Sequence, residues 1–267
     1  MLALLLTVGG YIALRHNVPV LEPSSCAASG PGQPIPLDVG QAAIAATIAG
    51  VAQDHELPRR AVTVAYATAL QESKLTNLRS GDRDSVGVFQ QRPSQGWGPR
   101  RRILDPVYAT TRFFEALVQV RDYEALPVYQ AAQAVQHSAD GAAYGQYAGV
   151  AKNMAKAFTG VLPHGVWCWY STPVGRPRLE AADRALTQAF GPLRVGRLGD
   201  PQLAVRVRHP ASGWTVAAWL VSHAASYGIQ TVSYQGYKWV TKDGSSGWIR
   251  IKAGQRPKAP PAVVLFG

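Results

Sequence analysis

Cysteine, acidic side chains and long apolar runs are all scarce in this chain. Its 267 residues include two cysteines, Cys26 and Cys168, too few for a cysteine-rich metal site or a multi-bridge disulfide scaffold. Six histidines stand at no ligand-like spacing, so no metal and no other cofactor is expected. Acidic residues number 16 against 27 basic ones, leaving a formal net charge of +11. That surplus suits anionic surroundings: nucleic acid, lipid headgroups or an anionic cell-wall polymer. The arginines are scattered, with neither a basic helix nor an RNA-binding aromatic signature, so nucleic acid is not expected as a partner. No internal repeat is visible.

No apolar run reaches the roughly 20 residues that span a bilayer. Met1 to Leu14 is uncharged and Arg15 follows, which resembles a signal h-region without its basic start. Residues 1–21 therefore read as a signal or membrane-anchor segment, the alternative being a buried core helix. The Pro-, Ser- and Gly-rich run after it favours export. The expected location is the cell wall or the extracellular space, with any hold on the cytoplasmic membrane made through this segment alone.

Composition divides the rest. Residues 22–37, "EPSSCAASGPGQPIPL", read as a flexible linker. Asp38 offers an N-cap to an alanine-rich helix over 40–54, and Pro58 opens a second helix that reaches Glu72. Asp105 and Pro106 cap and start another, with Phe113, Leu117 and Val120 in one stripe. Two more helices follow, over 127–137 and 143–158. Residues 38–170 thus form an all-helical domain with one long loop, 73–104. Beyond it, 178–255 reads as a small α+β domain. It holds a helix over 179–190, the alternating "QLAVRVRH", a helix from Trp214 to Tyr227 and a three-strand meander turned at Gln235-Gly236 and Asp243-Gly244. Residues 256–267 read as an irregular tail. The fold class is α+β. In an exported chain an even cysteine pair bracketing a domain suggests a disulfide between Cys26 and Cys168, worth a few kcal/mol; two unrelated buried thiols are the alternative.

Function is most legible in Ala69–Gly98, "ALQESKLTNLRSGDRDSVGVFQQRPSQGWG". Val62, Ala65, Ala69 and Glu72 recur at steps of three and four, so they share one helical face. A carboxylate closing an apolar face is costly to ionise, and a general acid needs that property near neutral pH. A solvated helix end, or pairing with Lys74 or Arg79, is the bland alternative. The loop adds Asp82, Asp84, Gly87, Gln90 and Gln91, groups able to bond sugar hydroxyls at a turn that lets a ligand approach the backbone. Asp82 and Asp84 read equally as turn-forming residues.

Glu72-Ser73 closing a helix, followed by Gly87, Val88, Phe89 and Gln90, resembles the lysozyme-like superfamily. The likeness is to soluble lytic transglycosylases and goose-type lysozymes, in particular an exported actinobacterial group, and covers roughly residues 40–160. It implies a lysozyme-like helical domain and cleavage of the MurNAc–GlcNAc β-1,4 bond, with peptidoglycan glycan strands as the substrate. The family's acid matches Glu72, and its substrate-contacting loop matches Gly87 to Gln91, with Ser73, Asp82, Phe89 and Gln90 in that group. A third family motif, A-Y-N-A-G, has "AVQHS", Ala134 to Ser138, as its counterpart. There Val135 stands at the tyrosine position and Gln136 or His137 at the amide, while Tyr144 and Tyr147 lie nearby to supply a ring. Glycosidases with two carboxylates space them by about 5 Å for retention or roughly 6.5–9.5 Å for inversion. Transglycosylases use one carboxyl and the substrate's own C6 hydroxyl. Asp84 is the candidate second catalytic carboxylate.

Tyr234, Tyr237, Trp239 and Trp248 mingle with Lys238, Lys242 and Arg250 in the meander. Half of such aromatics should be core and half exposed for glycan or partner binding. Two functions follow as expectations: an exported muramidase, or a non-catalytic wall-binding or scaffold protein that retains a lysozyme-like core.

Overall fold

The computed structural model describes residues 23–137, 141–199, 202–255 and 263–267. The segment expected as signal or anchor lies outside them, as does Ser138. From Pro23 on, the stretch read as a linker is ordered. Its strands β1 (Ser25–Ala28) and β2 (Ile35–Asp38) pair with each other, and the Gly- and Pro-rich residues between them make the connecting loop. Asp38 then begins α1 (Val39–Asp54) in a capping box, its N–H donating to Gln41 Oε1 at 2.9 Å. This helix is buried from Ala42 to Ala52 except at Ala43. Helix α2 (Arg59–Ser73) follows, then α3 (Arg100–Ile103) and α4 (Pro106–Leu117). The last starts as its sequence requires: Asp105 Oδ1 accepts from Val107 N at 2.9 Å, and Pro106 sits in the first turn. Helices α5 (Val128–Gln136) and α6 (Ala148–Phe158) flank a 3₁₀ segment, Gly141–Tyr147.

Strand β3 (Val166–Trp169) returns to pair antiparallel with β1, so that Cys26 faces Cys168. The two are joined in a disulfide. The expected bridge is present.

The remaining elements are α7 (Leu179–Phe190), β4 (Arg194–Gly199), β5 (Gln202–Arg206), α8 (Pro210–Ser222), α9 (Ala224–Tyr227), β6 (Thr231–Tyr234), β7 (Tyr237–Val240), β8 (Ile249–Arg250) and β9 (Val263–Phe266). With the three-stranded sheet they give the expected α+β class. The meander exists, turned at Gln235-Gly236, where both residues have positive φ. It is half of a six-stranded sheet, in the order β4-β5-β9-β6-β7-β8. The turn expected at Asp243-Gly244 is a longer 3₁₀ segment, Thr241–Ser246. Nor is the tail irregular throughout: β9 fills the sheet's centre, because four consecutive apolar residues there are buried on both faces.

Nor are the two parts separate in their packing. One contiguous core runs through both. Gly50 of α1 lies against Phe190 of α7, whose ring would be 2.8 Å from a Cβ at that position. Trp239 Nε1 donates to Cys168 O at 2.9 Å and Trp248 Nε1 to Val166 O at 2.7 Å, tying the larger sheet to β3. The expected division of the meander's aromatics between core and surface is partial. Tyr234 and Trp239 are buried, Tyr237 and Trp248 are half-buried, and Trp214 packs edge-on to Tyr234, Tyr237 and Trp248. Among the described residues no helix is long and apolar enough to cross a membrane, and no group of three metal-ligating side chains occurs.

One titratable group sits deep in this packing. His223 stacks on Trp219, centroids 4.0 Å apart, with Nδ1 2.9 Å from Trp219 O. Burial lowers its pKa to about 4 from the usual 6.5, the Trp219 carbonyl opposing weakly. The unfolded chain takes up the proton first, so stability is full above about pH 6.5 and falls as the pH drops towards 4. The limit is about 3 kcal/mol, reduced by the residue's partial exposure. Urea unfolding from pH 7 to 4 should show this slope in the wild type and lose it in His223→Gln.

Candidate active site

On α2 the residues Val62, Ala65 and Ala69 are fully buried and Glu72, one turn further, is half-buried. The expected apolar face with a carboxyl at its end is therefore formed. Glu72 Oε1 accepts a hydrogen bond of 2.6 Å from the Tyr144 hydroxyl. The Tyr144 ring is 1% exposed, so that donor is rigidly held. Lys74, two residues on, turns elsewhere: its ammonium lies 4.7 Å from the centroid of the Tyr147 ring and donates to the Tyr147 hydroxyl. Among the described residues Glu72 has no ion pair. It is a carboxyl restrained through one oxygen by a neutral phenol.

The helix stops abruptly after it. Lys74 and Leu75 both take positive φ, 55° and 58°, a conformation that costs a non-glycine residue and persists only where surroundings enforce it. The enforcement is visible: Leu75 is buried, and its N–H bonds back to Ala69 O at 3.0 Å. Ser73 Oγ, also buried, donates to Val88 O at 2.7 Å and accepts from Thr76 N at 3.2 Å. Ser73 thus fastens the helix end to the following loop from inside. The substrate contact expected of it is replaced by this structural bond.

The loop is a small bridged turn, with Leu78 paired to Gly87 and Val86 to Gln91. Gly87 has φ 80°, and a Cβ there would lie 2.8 Å from Ile103 O, so no larger residue fits. Phe89 is fully buried and stacks on Phe113 at 4.4 Å. Gln91 is buried too, its Nε2 donating to Ala109 O at 3.0 Å. Gln90 is half-buried, with its amide bonded to Gly87 O and Ser85 Oγ, both at 3.0 Å. Gln136 Nε2 donates to Phe89 O at 2.8 Å. Sugar contacts were expected of Gly87, Phe89, Gln90, Gln91 and Gln136. Phe89 and Gln91 instead hold the loop to α4, Gln136 ties it to α5, and Gln90 bonds within it, because buried polar groups must find partners inside the protein.

The aspartates separate. Asp82 is exposed and, among the described residues, its carboxylate reaches only Arg83, at 3.9 Å. Asp84 has both oxygens occupied: Oδ1 by Arg92 Nε at 2.8 Å and Ser94 Oγ at 2.9 Å, Oδ2 by Ser94 N at 2.8 Å. The Arg92 guanidinium, then the Ser94 backbone N–H, hold its pKa well below the ordinary carboxylate range. A carboxylate so stabilised is a poor proton acceptor. Its bonding is that of a turn clamp rather than of the second catalytic group expected.

The sequence offers Tyr144 near the site only as a ring for substrate. Its bond to Glu72 spans 72 positions, and no local pattern announces it. Nor does any sequence pattern mark the pairing of Lys74 with Tyr147 or the forced backbone of Lys74 and Leu75. A cleft of about 860 Å³ opens at the other end of α2, beside Arg59, and Glu72 is not among its lining residues. No protein-family model and no curated protein matches this chain.

Proposed function

We propose that the chain is an exported muramidase that cleaves the MurNAc–GlcNAc β-1,4 bond of peptidoglycan, with Glu72 as general acid and then base. The observation that carries this is the half-buried Glu72 carboxyl, closing an apolar helical face and held at 2.6 Å by the buried Tyr144. With Tyr144 donating to Oε1, the carboxyl proton belongs on Oε2, the oxygen free to meet substrate. Glu72 gives that proton to the glycosidic oxygen as the C1–O bond breaks. The resulting carboxylate takes the proton of the C6 hydroxyl, whose oxygen closes on C1. The product is a 1,6-anhydro sugar, and no water is consumed. This one-carboxyl route is favoured over hydrolysis because Asp84 is committed to Arg92 and Ser94.

Two further observations support the reading. Of nine non-glycine residues with positive φ among the described residues, Lys74 and Leu75 follow closely on Glu72, Gln90 is in the loop and His137 adjoins Gln136, and such strain is found at functional sites. The disulfide fits an oxidising compartment outside the cytoplasm, and the +11 charge would hold the protein to an anionic wall.

A second reading, a non-catalytic wall-binding scaffold, is favoured by the inward bonding of the Gln90, Gln91 and Gln136 amides. Incubating the full chain with purified sacculi separates the two. The muramidase reading expects soluble muropeptides that increase with time. Binding to sacculi with no release at any pH or ionic strength would sink it in favour of the scaffold.

A further inference from the structure

The cleft beside Arg59 is distant from Glu72: thirteen helical positions at about 1.5 Å each place it about 20 Å away along α2. It lies where the C-terminal end of α1 and the start of α2 meet the β4–β5 hairpin and the first turn of α8, and its volume is about 860 Å³. Four arginines line it, Arg59, Arg194, Arg206 and Arg208, with two acids, Asp54 and Glu56. The acids do not balance the arginines locally. Glu56 reaches Arg208 at 3.8 Å between two exposed side chains, a pair of little energetic worth. Among the described residues Arg194, Arg206 and Arg59 have no carboxylate partner.

The strand register sharpens the point. Arg194 on β4 is directly opposite Arg206 on β5. Like charges directly opposed across a strand pair destabilise it. Three residues along the same strand, Arg197 meets Glu180 at 2.5 Å, so the neighbouring arginine of β4 has a carboxylate partner where Arg194 has none among the described residues. A local conflict of this kind, left in place by an otherwise consistent fold, marks a site that something else completes. Guanidinium groups bind phosphate oxygens in a bidentate manner and lose less hydration than ammonium groups on doing so. The cleft is far larger than a single ion, and its open rim suits a segment of a longer phosphate-bearing molecule. The first turn of α8 also borders the cleft through Ala211 and Ser212, and its partial positive charge acts in the same direction.

We propose that this cleft binds a phosphate-bearing anion, with one phosphate bridging Arg194 and Arg206. The site is independent of the muramidase reading, since its arginines lie at the far end of α2 from Glu72. It would hold the protein on a phosphodiester polymer or an anionic lipid headgroup, both of which present the same chemistry.

The test uses the full chain, the double variant Arg194→Gln/Arg206→Gln, and a control of equal charge change, Lys152→Gln/Arg184→Gln, on exposed helical positions of α6 and α7. Probes are inorganic phosphate, a poly(glycerol phosphate), polyglutamate, and vesicles of phosphatidylcholine with or without phosphatidylglycerol. Phosphate should raise the unfolding midpoint of wild type and control but not of the cleft variant. Affinity for poly(glycerol phosphate) or for the anionic vesicles should fall on the order of tenfold or more in the cleft variant alone. Which of these two probes binds identifies the source of the phosphate. Without ligand, the cleft variant should unfold no earlier than wild type, since it relieves a repulsion. Equal losses in both variants, polyglutamate binding as tightly as the phosphate polymer, or an unchanged midpoint in phosphate would each overturn the proposal.

Discussion

Glu72→Gln should reduce muropeptide release from purified sacculi by about 10²- to 10⁴-fold, the usual contribution of a positioned general acid. Glutamine keeps the size and shape of glutamate, and its carbonyl oxygen accepts the Tyr144 hydroxyl as Oε1 does now. Only the transferable proton is removed. The unfolding midpoint of the variant should therefore stay within a degree or two of wild type, so the loss reads as chemistry rather than misfolding. Tyr144→Phe leaves the proton in place but frees the carboxyl from its donor. A loss on the order of tenfold, with a shifted pH–rate profile, is expected of a positioning residue. Full activity in Glu72→Gln would remove the acid role outright.

The second large effect concerns stability. Cys26 and Cys168 are 142 positions apart, so their bond closes a loop around every helix from α1 to α6. In the chain-entropy limit such a closure contributes about 5 kcal/mol, a large share of the roughly 5–15 kcal/mol that holds a typical domain folded. Reduction, or Cys26→Ser with Cys168→Ser, should lower the unfolding midpoint by about 10–20 °C at the sensitivity of a chain of this size. The strand pairing β2-β1-β3 remains to be made without the bond, so a folded reduced form is expected at low temperature. Thermal unfolding with and without reductant measures this. A change below about 2 °C would show that β1 is held by its strand pairing alone.

What the sequence reveals about this fold follows the range of the interactions. Asp38, and Asp105 with Pro106, start their helices through contacts within three residues, and those helices are where the residues place them. The cysteine pair is legible because its chemistry admits one partner. Strands β1, β2 and β9 are not: β1 pairs with β3 far along the chain, β2 pairs only with β1, and β9 is held between β5 and β6. The site divides in the same way. The face ending at Glu72 follows from helical spacing alone, and it is present. Whether the amides of Gln91 and Gln136 turn inward or outward depends on which carbonyls need a donor. Those of Ala109 and Phe89 become identifiable only once the helices are packed. Asp84 reads as a catalytic candidate until Arg92 and Ser94 are seen to occupy it.

The claim that a single carboxyl does the chemistry is tested most directly by digesting sacculi in ¹⁸O-labelled water and weighing the products. If Glu72 works alone, the muropeptides end in 1,6-anhydro rings, each short of one water, and carry no label at the cleaved carbon. Reducing ends that each hold one ¹⁸O would mean that a second group delivers water to the bond, and the single-carboxyl account would then fail.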